Sequence, residues 1–92
     1  PAPRALELGM IYKTCTLDQL ETVGTGLAAQ LATQPTAALA LIKQMLNATL
    51  HNTLAQQLEL EAVFQGRAAA TADYREGVGA FLEKRKPEFT GS

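Results

Sequence analysis

Few side chains in these 92 residues are of a kind that does chemistry, and only one set of them is crowded. Lys84, Arg85 and Lys86 stand in a row just before Pro87. Adjacent cations of this kind suit a phosphate-bearing ligand, to which one charge-assisted hydrogen bond contributes about 1.5–3 kcal/mol, less where water screens it. The same cluster also fits an ordinary helix end, where cations complement the dipole. Phe81 lies one turn earlier, placed either to pack in a core or to lay an apolar face beside Lys84.

The remaining candidates are weaker. Cys15 and His51 are the only cysteine and histidine, too few for a zinc site of ordinary ligand count. Nothing in their spacing points to a nucleophile and base, so Cys15 reads as a structural thiol and His51 as a solvated turn residue. Glu59 and Glu61 are two apart on a helical pattern and diverge, so they do not form a carboxylate pair. Gly24-x-Gly26 and Gly77-x-Gly79 lie inside helical patterns rather than after a strand, which argues against a phosphate cradle. Gly24 and Gly26 instead mark close helix packing or a mild kink. No residue is assigned a catalytic or metal-binding role.

The elements that must position these groups are nearly all helical. Pro3 to Leu8 reads as the last turns of a helix, with Gly9 at the left-handed position beyond it. Its abrupt start suggests an element cut from a longer chain. Met10 to Cys15 is the single strand candidate and, lacking a partner, is expected to be extended. Thr16 with Gln19, Thr53 with Gln56 and Asp73 with Glu76 each have capping-box spacing. They open helices over about 17–32, 53–70 and 73–86. Pro35 starts another in its first turn, running to about Leu50. The inward faces are expected to be Leu20, Val23, Leu27 and Leu31; Leu39, Ile42, Met45, Leu46 and Leu50; and Leu54, Leu58, Ala62 and Gln65, the last widened by Leu60, Val63 and Phe64. Residues 87–92 form a tail.

The bulk composition bounds the rest. A chain of this length makes one small domain with a thin stability margin. A net charge of −1 gives no case for nucleic acid or an anionic membrane. No apolar run approaches the ~20 residues that cross a bilayer, and the N-terminus lacks a secretory pattern. One cysteine suits a reducing compartment, so a cytoplasmic protein is expected.

Taken in order, the segments resemble the C-terminal third of the enoyl-CoA hydratase/isomerase (crotonase) superfamily. The likeness runs from Ala5-Leu6-Glu7-Leu8-Gly9 through Leu31-Ala32-Thr33-Gln34-Pro35, Leu41-Ile42-Lys43 and Leu58-Glu59-Leu60-Glu61. It closes on Asp73-Tyr74-Arg75-Glu76-Gly77-Val78 and Ala80-Phe81-Leu82-Glu83-Lys84-Arg85-Lys86-Pro87. With Asn52-Thr53-Leu54 and Phe89-Thr90-Gly91, several pieces look most like a branch that isomerises a ring-epoxidised phenylacetyl-CoA. The resemblance implies an all-α assembly and lid segment over residues 16–92, with residues 1–15 ending the catalytic core. Its catalytic half, with the backbone oxyanion hole, matches nothing in this chain. By motif position Phe81 and Lys84 would help bind CoA, Lys84 pairing with the phosphorylated adenosine end. The implied partners are an acyl-CoA substrate and further copies of the chain, with no cofactor beyond the CoA of the substrate. Two rival readings are a freestanding helical interaction module and a small acyl-CoA-binding bundle.

Overall fold

The computed structural model describes all 92 residues, and every regular element in it is helical. The order is α1 (Ala2–Glu7), a 3-10 turn (Leu17–Gln19), α2 (Leu20–Ala32), α3 (Thr36–Ala48), α4 (Leu54–Ala69) and α5 (Ala72–Glu83). Residues 10–15 are irregular rather than paired in a sheet, as expected for a strand pattern without a partner. Gly9 takes φ +69° and closes α1, with the Met10 N–H donating to the Ala5 carbonyl at 2.9 Å.

Of the three capping boxes, one forms as expected. Thr53 Oγ1 accepts from the Gln56 N–H at 3.3 Å, and Gln56 Oε1 accepts from the Thr53 N–H at 2.8 Å. At Thr16 the box is absent because the Gln19 N–H goes to the Thr16 carbonyl (3.1 Å), closing a 3-10 turn instead. α3 begins one residue later than expected, with Pro35 just outside it at ψ 82°.

The firmest packing is the α3–α4 hairpin. Its turn carries the exposed His51 and is tied by Asn52 Nδ2, which donates to Gln57 Oε1 at 3.0 Å. Gln57 Nε2 donates in turn to the Met45 carbonyl at 3.2 Å. The half-buried positions are Ala37, Ala38, Leu41, Met45 and Ala48 on α3, and Gln57, Leu60 and Ala68 on α4. Phe64 is the one large apolar side chain that is buried, and the Arg67 guanidinium lies 5.2 Å from its ring centroid.

This seam corrects the expected inward faces. Leu39, Ile42, Leu46, Leu50, Leu54 and Leu58 are exposed, and only Met45 of the expected α3 set apart from them is half-buried. Both helices carry apolar residues on more than one side. Periodicity identifies such stripes without saying which of them meets a neighbour in the same chain. Gly24 and Gly26 likewise mark no close packing; beyond the adjoining backbone of α2, a methyl group at either would meet nothing within 4 Å.

The result is an open slab, 42 × 39 × 19 Å. The radius of gyration is 16.8 Å, against about 12 Å for a compact chain of this length. The accessible surface is 7385 Å², against roughly 5,200 Å² for a compact protein of 9.8 kDa. No helix is long and apolar enough to cross a membrane.

Candidate functional site

α5 and the tail that follows it hold the site. α5 is capped by Thr71, whose Oγ1 accepts from the Tyr74 N–H at 3.1 Å and donates to the Ala68 carbonyl at 2.7 Å. Asp73 was expected in that capping role and does not have it. It lies inside the first turn, 3% exposed, and its carboxylate faces the tail. Oδ1 accepts from the Thr90 N–H at 2.7 Å and Thr90 Oγ1 at 3.3 Å, while Oδ2 accepts from the Gly91 N–H at 2.8 Å. The Asp73 N–H donates to the Ser92 carbonyl at 2.9 Å. A buried carboxylate is tolerated here because it accepts from several donors and sits at a helix N-terminus.

Glu76, the expected partner of Asp73, is also occupied elsewhere. Its two oxygens take a bidentate grip from Arg85, at 2.6 and 2.8 Å, and Oε1 also accepts from the Glu88 N–H at 2.8 Å. The Arg85 hydrogen bond, helped by the Glu88 N–H, pulls the Glu76 carboxyl down to about 2. Arg85 is raised above its ordinary value by Glu76 and then by Glu83, which accepts from Nε at 2.6 Å.

The basic cluster is therefore split. Arg85 belongs to a structural ion-pair network, and α5 ends at Glu83, before all three cations. Lys84 occupies the helix-ending position with φ 55°, the only non-glycine residue with positive φ. The Lys84 N–H donates to the Phe81 carbonyl at 3.3 Å and the Arg85 N–H to that of Ala80 at 3.0 Å, a Schellman closure that ordinarily calls for glycine. Neither Lys84 nor Lys86 is in a salt bridge.

One groove lies along α5, and a second lies between the end of α2 and the segment that follows α5. The first, about 390 Å³, is apolar and open; Phe81, Leu82, Val78 and Tyr74 line it from α5, Pro35 and Ala38 from the start of α3. The second, about 620 Å³, is polar and lined by Gln30, Thr33, Gln34 and Lys86 among others. Phe89 lines both and stands between them. Its ring lies over Gly77, where an added methyl group would sit 3.5 Å from Cε1.

Phe81 is thus brought to a groove wall, 81% exposed, so the core role open to it in the sequence is not the one it takes within this chain. Lys84 sits at the helix end and does not line either groove. Sequence reasoning missed Thr71 and Phe89, and gave Asp73 a local cap in place of its contact with residues 90 and 91. The sequence signal for the Asp73 clamp was available as the pair Asp73…Glu76 and Thr90-Gly91, but a capping-box spacing is local and does not point to a partner 17 residues away.

The chain belongs to the enoyl-CoA hydratase/isomerase family, whose model matches residues 1–92. It is 51% identical over 90 residues to the 1,2-epoxyphenylacetyl-CoA isomerase of Escherichia coli K12, covering 98% of this chain and 34% of that protein. It is 46% identical to a probable enoyl-CoA hydratase of Rhodobacter capsulatus, covering 98% of this chain and 35% of that one. Its fold matches the crystal structure of an enoyl-CoA hydratase from Polaromonas sp. JS666 with a TM-score of 0.89 and 34% identity, covering 97% of this chain and 35% of that one. The chain spans about a third of the length of the relatives it matches.

Proposed function

We propose that these helices serve an enzyme that transforms acyl-CoA thioesters, covering the CoA moiety and joining subunits. Phe81 lines the pocket wall and Lys84 pairs with the phosphorylated adenosine end. The observation that carries the assignment of Lys84 is its left-handed backbone. A lysine there costs about 1 kcal/mol relative to glycine, and strain of this kind concentrates at functional positions. Arg85 is committed to Glu76 and Glu83, whereas Lys84 is in no salt bridge. The E. coli relative supports a ring-epoxidised aromatic acyl-CoA as substrate. No cofactor beyond the CoA of the substrate enters this reading, and no catalytic role is given to any of the 92 residues. The lone, exposed Cys15 fits a reducing, cytoplasmic setting.

The open shape favours this reading over a freestanding module. The surface exceeds that of a compact chain by about 2,000 Å², the scale that obligate interfaces bury. The test is steady-state kinetics of the whole enzyme with CoA and 3′-dephospho-CoA thioesters. Lys84→Ala is expected to raise KM roughly tenfold for the CoA thioester, with little change in kcat and little effect on the dephospho substrate. Equal losses on both substrates would sink the pairing with the phosphate.

A further inference from the structure

The tail is tied to α5 at two separate places. Upstream, Glu76 holds Arg85 and the Glu88 N–H. Downstream, Asp73 holds the N–H groups of Thr90 and Gly91, and its own N–H meets the Ser92 carbonyl. No other backbone hydrogen bond anchors residues 88–92. Gly91, at φ +83°, passes so close to the start of α3 that an added methyl group would lie 2.5 Å from Thr36 Oγ1. Between the two anchors stands Phe89, half-buried over Gly77 and shared by both grooves.

We propose that residues 88–92 are a strap with two independent carboxylate latches, and that release at the Asp73 latch withdraws the Phe89 partition and joins the two grooves while the helices stay folded. The physical ground is the distribution of bonds. A short irregular segment held by a few hydrogen bonds, with little buried apolar area, opens at far lower free energy than packed helices do. Because the two latches use different carboxylates on the same helix, losing one leaves the other intact. The inference stands on this geometry and does not depend on what occupies either groove.

Amide hydrogen exchange by NMR on the 92-residue chain tests it, read with the contact between the Phe89 ring and Gly77. In Asp73→Ala the Thr90 and Gly91 amides are expected to exchange roughly tenfold faster or more, since each loses a charged acceptor. The Glu88 amide and those within α4 are expected to hold, and the Phe89–Gly77 contact to disappear. Glu76→Gln is expected to do the reverse, releasing Glu88 first. Should Asp73→Ala disturb folding, Thr90→Pro removes the donor at the same latch while leaving Asp73 in place. Unchanged rates at Thr90 and Gly91 overturn the proposal. So does acceleration of all helical amides together in both variants, which makes the tail one unit with the helices.

Discussion

The carboxylate of Asp73 receives the backbone N–H of Thr90 at 2.7 Å across 17 positions of sequence, so the first turn of α5 is joined to the last residues described. Thr71, two residues earlier, does the local work of capping. The division separates two consequences of substitution that a capping-box reading merges.

Cap deletions are expected to rank accordingly. Thr53→Ala and Thr71→Ala each lose a side-chain acceptor and should cost about 1 kcal/mol. Thr16→Ala removes no such bond and should stay within about 0.5 kcal/mol of wild type. Urea denaturation of the three variants checks this, and equal losses at all three would contradict the cap assignments.

Acid should act on the Glu76 latch in a defined window. The folded carboxyl is lowered from its ordinary 4.5 to about 2, so the bonded form is favoured and its contribution is present in full above about 4.5. That contribution is lost progressively as pH falls from there through about 2. Carbon-detected titration of the Glu76 carboxyl should give a midpoint well below the ordinary 4.5. A midpoint at that ordinary value would mean the Arg85 grip does not persist in solution.

The glycines should respond in opposite senses. Gly24→Ala and Gly26→Ala each meet open space inside α2 and should stabilise it by about 0.5–1 kcal/mol. Gly91→Ala must resolve a 2.5 Å approach to Thr36 Oγ1 at a positive φ, and should free the Thr90 amide to exchange. Thermal denaturation reads the first pair and hydrogen exchange the third. A loss of stability at Gly24 would point to a contact this chain does not make by itself.

Lys84→Gly should raise stability by about 1 kcal/mol, because glycine adopts the left-handed position without a Cβ penalty. Lys84→Ala keeps that penalty and should not share the gain. Chemical denaturation of both variants separates backbone strain from the loss of charge; identical effects would remove the strain argument.

The exposed faces should drive association. Leu46, Leu50 and Leu54 are 63%, 80% and 76% exposed, and contiguous exposed apolar surface normally meets a partner surface. Size exclusion with light scattering, with and without CoA, should give a dimer or larger species indifferent to CoA. A clean monomer at high concentration would count against it, and a monomer that binds CoA would favour an autonomous binding bundle.

Local chemistry made much of this fold legible. The closing glycine at Gly9, the break before α3, the Thr53 box and the existence of each long helix all follow from short-range spacing. The family resemblance carried by the ordered motifs also holds. What spacing could not supply was direction. Leu41, Leu60 and Phe64 form the seam while Leu39, Ile42 and Leu58 face outward, and both sets obey helical periodicity. The same limit applied to Asp73, Glu76 and Arg85. Their residue types announced hydrogen bonds and ion pairs, but the partners lay across the left-handed turn at Lys84, which only the folded chain reveals.

A body 19 Å thick in its shortest direction has almost no interior, and only Phe64, Ala80 and Asp73 are buried. Mutational tolerance should therefore depend on company. Measured on this chain alone, most apolar positions will look replaceable, and the sensitive ones will trace a thin line along the α3–α4 contact and the Asp73 clamp. Measured in a setting where both broad faces are covered, the same leucines will turn intolerant, and the difference between the two maps will outline what the slab rests against.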